Sequence, residues 1–97
     1  MRKKIAGRYF EWDEEKNRLN KQKHKVSFET AARVFSDPFF VECPDETHSD
    51  EELRYKVLGM VNSVLLVICT DREDATRIIS ARKANAEERS AYNGNRS

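Results

Sequence analysis

The chain has 97 residues, 38% apolar and 36% charged, which bounds it to one small, polar domain with a modest core. No apolar run approaches about 18 residues, so a membrane-spanning helix is excluded. The net charge of +1 by itself says nothing about partners. The charge is unevenly spread, with +5 over residues 1–34, −7 over 35–74 and +3 over 75–97. Basic ends and an acidic middle can present one patch to phosphates and another to a different partner. Two cysteines, Cys43 and Cys69, make no disulfide framework and read as strand or core residues in a reducing compartment. The Met-Arg-Lys-Lys start is followed by no apolar stretch, so a cytoplasmic location is expected rather than secretion.

In chain order, residues 1–8 carry no apolar pattern and are expected as a frayed lead-in. Tyr9 to Trp12 alternates aromatic and polar residues, as a short strand at the sheet edge would. Asp13 is an N-cap candidate, with Glu14 and Glu15 in the first turn, where the helix dipole favours acids. That helix should run to about Lys23 on a thin apolar face of Trp12 and Leu19. Ser27 caps a second helix, with Val26 and Ala31 placed as a hydrophobic staple. Phe28, Ala31, Ala32 and Phe35 form its apolar stripe. Asp37-Pro38 ends it. Phe39 to Cys43 reads as a strand, and 44–51 as a polar, acidic loop.

The stretch 53–84 holds three strand-like runs separated by Asn62-Ser63 and by residues 71–74. Val64 to Thr70 is apolar at nearly every position, as a central strand is. In the first run Leu53, Tyr55 and Val57 point one way, and Arg54 and Lys56 the other. Asn85 and Glu88 then open a last helix as an N-x-x-E capping box, with Gly94 as a natural C′ residue. Early helices and late strands predict an α+β fold: a small antiparallel sheet with two N-terminal helices and one C-terminal helix, the helices packed on one face. The single domain spans 1–97, with an ordered core of about 9–93.

There is no Gly-rich phosphate loop, no C-x-x-C, no H-E-x-x-H and no G-x-S-x-G. The two histidines and two cysteines have no ligand spacing, so neither a metal nor another cofactor is expected. Arg54, Arg77 and Arg82 in or beside the sheet are candidate phosphate ligands, because guanidinium is the best planar partner for phosphate. Each also has a plain structural reading. Arg54 can pair with the acids of 45–52, and Arg82 with Glu87 or Glu88. Arg77 and Arg82 are five apart, so they share a face only if a bulge intervenes. His24, between Lys23 and Lys25, is placed to stay neutral and serve as a base, or is an exposed loop histidine. His48 sits among acids, and Tyr92 is a core residue or a proton donor.

Six fragments stand in order along the chain: F-E-W-D at 10–13, K-H-x-V-S-F-E at 23–29, A-A-x-V-F-x-D-P at 31–38, H-S-x-x-E-x-R at 48–54, R-I-I-S-A-R at 77–82 and E-x-x-x-Y at 88–92. Together they resemble the BrnT family of type II toxins, small ribonucleases of bacterial toxin–antitoxin pairs. One departure is Lys25, where the family usually has glycine. The resemblance implies a RelE-like fold and RNA cleavage that arrests translation. It implies neutralisation by a cognate BrnA-like antitoxin with a ribbon-helix-helix DNA-binding domain. A complex of two toxins and two antitoxins would repress its own operon, touching operator DNA only through the antitoxin.

Metal-free RNA cleavage needs a base, cations for the phosphorane charge and an acid. Arg54, Arg77 and Arg82 are assigned to charge, and His24, then His48 or Tyr92, to proton transfer. Lys23, Lys25, Lys56 and Lys83 are assigned to RNA contact. Two other readings stand beside this one: a toxin-fold module that binds its antitoxin without cleaving RNA, and a free-standing nucleic-acid-binding protein.

Overall fold

The structure is a computed structural model that describes residues 1–45 and 53–96, the last two as backbone only. Six strands form one sheet in the order β1-β2-β6-β5-β4-β3: β1 Arg2–Ile5, β2 Arg8–Glu11, β3 Val41–Pro44, β4 Arg54–Val61, β5 Ser63–Arg72 and β6 Ala75–Lys83. Every neighbouring pair is antiparallel except β2 with β6. The helices are α1 Glu14–His24, α2 Phe28–Ala32 and α3 Ala86–Arg96, and a 3-10 turn over Arg33–Ser36 follows α2. The α+β class and the β4-β5-β6 meander are as the sequence predicts.

The lead-in is not frayed. Residues 2–5 form β1, which closes on β2 through Ala6 and Gly7, at φ 51° and 83°. Two consecutive positive φ values in a two-residue loop give the turn whose twist matches paired strands. β2 is therefore an inner strand, not the edge.

α1 runs alongside β6. Asp13 caps it, accepting from Glu15 N–H and Lys16 N–H. Its buried residue is Asn20, while Leu19, the expected apolar contact, is 48% exposed. The Asn20 amide donates to Val26 C=O at 2.9 Å and Ala81 C=O at 2.8 Å, and accepts from Ala81 N–H at 3.2 Å. β2 pairs with β6 only at Phe10↔Thr76 and Glu11↔Arg77. Beyond them, Asn20 supplies the hydrogen bonds that a strand neighbour would give Ala81. Lys25 ends α1 at φ 61°, the left-handed conformation that glycine adopts without a Cβ penalty. That explains why glycine suits this position.

Ser27 caps α2 through Thr30 N–H at 3.1 Å. The principal core gathers Phe10, Trp12, Phe28, Val34, Val57, Val67, Cys69 and Ile78 between the sheet and α1/α2. Gly59 allows the 3-10 turn to approach β4, since a Cβ there would lie 2.6 Å from Val34 Cβ and 2.9 Å from Val34 O. The expectation that the helices all pack on one face does not hold: the opposite face carries a smaller core of Leu58, Val64, Leu66, Ala84 and Tyr92 beneath α3, because its apolar residues at that end of β4 and β5 need a cover of their own. Asn85 and Glu88 form the predicted capping box, at 2.8 and 2.9 Å. Gly94 lies inside α3 and does not end it.

Candidate active site on the α3 face of the sheet

One local irregularity assembles the site. Between β5 and β6 the register runs Ile68↔Ser80 and then Cys69↔Ile78, so Ile79 is an extra residue on β6. This bulge resets the alternation of β6, and Arg77 and Arg82 come to the same face. Arg77 lies opposite Thr70, and Arg82 opposite Leu66. On β4, Arg54 lies opposite Thr70 and Lys56 opposite Ile68. Arg54, Lys56, Arg77 and Arg82 therefore all project from the face that carries α3. In rows across the sheet, Leu66 and Leu58 at the α3 end give way to Ile68 and Lys56, then to Arg77, Thr70 and Arg54.

A pocket of about 350 Å³ opens at this boundary, lined by Asp45, Arg54, Lys56, Ile68, Arg82 and Glu88, among others. Arg82 donates from Nη1 to Glu88 Oε1 at 2.8 Å and from Nη2 to Oε2 at 2.9 Å. Those hydrogen bonds hold the Glu88 carboxyl below the usual range, against the upward push of burial, and Lys56 adds to the lowering. The same pairing raises the Arg82 guanidinium further, against desolvation. The fork that grips Glu88 has the geometry that grips a phosphate. Arg77 stands on the same face outside the pocket, donating to Glu11 at 2.9 Å. Asp45, which lines the pocket, is buried, and its N–H donates to Arg54 C=O at 2.9 Å.

The other candidate residues lie elsewhere. His24 ends α1 in the helical layer, across the sheet from Arg82, with Lys23 and Lys25 exposed beside it. Lys83 opposes Leu65 and points toward that same helical side. Tyr92 is 1% exposed, and its hydroxyl donates to the Asp37 carboxylate, which also accepts from Met60 N–H at 2.8 Å. It lines a second depression of about 540 Å³ with Arg33, Asp37 and Phe39, well short of the cation density around Arg82. His48 lies outside the described residues. Glu88 and Asp45 enter the sequence reading as pairing partners, Glu88 for Arg82 and Asp45 among the acids of 45–52 for Arg54. The Arg82–Glu88 pair forms as that reading expects.

Fold and pocket together define a small α+β protein with a pocket lined by three cations on one sheet face. A family model described as the ribonuclease toxin BrnT of type II toxin–antitoxin systems matches residues 12–88, and the chain belongs to that family. It is accordingly a ribonuclease toxin with a cognate antitoxin as partner. The crystal structure of the Brucella abortus ribonuclease toxin BrnT superposes with a TM-score of 0.56 at 26% identity, over 76% of this chain and 92% of that one. A comparison with curated proteins found no significant match. Among the described residues, no helix is long and apolar enough to cross a membrane.

Proposed function

We propose that this toxin is a metal-independent endoribonuclease whose site is the pocket of Arg54, Lys56 and Arg82. The observation that carries the reading is the convergence of these three cations at one opening on the α3 face. In the reaction, a base removes the ribose 2′-OH proton and the 2′-oxygen bonds to the adjacent phosphorus. The bond from phosphorus to the 5′-oxygen then breaks, and an acid protonates that oxygen. The products are a 2′,3′-cyclic phosphate and a 5′-hydroxyl. Arg82 leaves Glu88 to grip the phosphate, and Arg54 and Lys56 balance the charge that grows on the phosphorane. Glu88 keeps the Asn85 N–H as a donor when Arg82 turns away.

For proton transfer His24, then His48 or Tyr92, remain the candidates: His24 lies across the sheet, Tyr92 is buried, and His48 is a candidate from sequence alone. Arg77 supports the phosphate-binding face from outside the pocket. RNA cleavage in the cytoplasm arrests translation. A BrnA-like ribbon-helix-helix antitoxin neutralises the toxin in a complex of two toxins and two antitoxins, which represses the operon. Family membership supports these last statements.

Purified wild type and Arg82→Ala, incubated with total RNA in EDTA with and without ribosomes, test the reading. Cleavage by wild type alone is the expected result. Equal cleavage by both proteins sinks the assignment of Arg82. Cleavage by wild type that disappears in EDTA sinks the metal-free mechanism.

A further inference from the structure

The matched family region begins at Trp12, so the β1–β2 hairpin lies ahead of it. This hairpin is nonetheless built into the sheet that carries the site. Arg2 lies opposite Glu11, Glu11 opposite Arg77, Arg77 opposite Thr70 and Thr70 opposite Arg54. These five side chains form one row across the α3 face. The row crosses four strand spacings from β1 to β4, or about 19 Å. The next row toward the open end holds Lys4 opposite Tyr9, and Ala75 opposite Arg72.

Tyr9 is 46% exposed. Lys4 Nζ stands 5.5 Å from its ring centroid and the Arg2 guanidinium 5.4 Å from it. An exposed aromatic ring flanked by cations, on the face of a phosphate site, is the pattern that takes a base by stacking and its phosphate by charge. Arg2 also contacts Asp74, but both side chains are largely exposed, so that pair is weak and exchangeable. The lysines on β1 discourage strand addition by another protein along this edge, which disfavours a protein occupant.

We infer that the β1–β2 hairpin is a binding subsite for single-stranded RNA, with Tyr9 stacking a base and Lys4 and Arg2 meeting the flanking phosphate. The inference rests on the proposed pocket at Arg82 and extends the substrate path from it across β6 and β2. Lys3 provides an internal control. It lies opposite Phe10 and so projects to the helical side, with the same charge on the same strand.

The test is the affinity of a mixed-sequence 2′-O-methyl oligoribonucleotide, which cannot be cleaved, for wild type, Lys4→Gln, Lys4→Gln/Tyr9→Leu and Lys3→Gln. Thermal melting of each variant checks that the hairpin still folds, and Lys4→Gln alone serves if the double variant melts early. The double variant should bind about ten-fold more weakly or worse. Its log-affinity against log-salt slope should fall by roughly 0.7 for the phosphate contact removed. Lys3→Gln should stay within about two-fold. Unchanged affinity in the Lys4 variants overturns the subsite, as does an equal loss in Lys3→Gln, which would report overall charge alone. Loss of antitoxin affinity with RNA affinity intact would assign the hairpin to the protein partner and overturn it too. Wild type that binds and cleaves RNA while Lys4 and Tyr9 are silent removes only the hairpin subsite. Wild type that neither binds nor cleaves removes the pocket reading and the subsite together.

Discussion

Arg82 is held by an acid in the structure and needed by a phosphate in the reaction. Glu88 competes directly with substrate, so Glu88→Gln should bind RNA more tightly, by roughly five-fold. That is the size of effect expected when one partly exposed charge, worth about 1 kcal/mol, is removed. Glutamine can still accept from Asn85 N–H, so the cap survives the change. Measured affinity for an uncleavable oligonucleotide equal to or weaker than wild type would show that Glu88 positions Arg82 more than it competes.

The pair also gives a pH signature. Arg82's hydrogen bonds depress the Glu88 carboxyl below its ordinary value. A depressed carboxyl stabilises the fold above its unfolded pKa, and the contribution is lost as pH falls through the lower, folded value. The difference in melting temperature between wild type and Glu88→Gln should therefore be present at neutral pH and vanish in acid, below the ordinary glutamate range.

At Lys25 the residue is at odds with its backbone. Its φ of 61° costs a lysine about 1 kcal/mol that glycine escapes, so Lys25→Gly should raise stability by about that much in denaturant titration. The departure from glycine was visible in the sequence. The left-handed geometry behind it was not, because nothing in Lys23-His24-Lys25 announces a positive φ.

Two elements owe their placement to contacts that no local pattern encodes. The strands of the meander were legible because β4, β5 and β6 alternate or run apolar within themselves. The facing of Arg77 relative to Arg82 was not legible, because it depends on whether Ile79 is an extra residue in the ladder with β5. That is a property of the pair of strands. In the same way, β1 looked unstructured because Arg2 to Lys4 offers no buried face, and its hydrogen bonds come from β2. α1 looked weak because its apolar stripe is thin. Its anchor is a polar residue, Asn20, whose three hydrogen bonds reach Val26 and Ala81.

Asn20→Ala would leave Ala81 N–H and C=O and Val26 C=O buried without that partner. The expected cost is roughly 2–4 kcal/mol, which chemical denaturation would detect. A cost below about 1 kcal/mol would mean that water or a shifted α1 replaces the amide. Gly59→Ala tests the opposite side of packing. Its new methyl would press on Val34 Cβ and on the Val34 carbonyl, a backbone atom with little room to move. A loss of about 1–3 kcal/mol is expected.

At the scale of the whole molecule the sheet divides two tasks. One face is committed to the principal core under α1 and α2, and it fixes the strand order. The other is apolar only where α3 covers it, and turns cationic toward Arg54, Arg77 and the N-terminal hairpin. A net charge of +1 thus hides a face that gathers Arg2, Lys4, Arg54, Lys56, Arg77 and Arg82, with Glu11 and Glu88 paired among them. Affinity for RNA should then depend on salt despite the near-neutral chain. The one phosphate held by Arg54, Lys56 and Arg82 alone predicts a slope of log affinity against log salt of about −0.7, the value per phosphate on a single strand. The flanking phosphate met by the hairpin steepens it to about −1.4. Binding measured across a series of potassium chloride concentrations separates these cases. A slope near zero would mean that stacking or ribosomal protein contacts hold the substrate, and that the cationic face is used mainly by the acidic parts of the antitoxin.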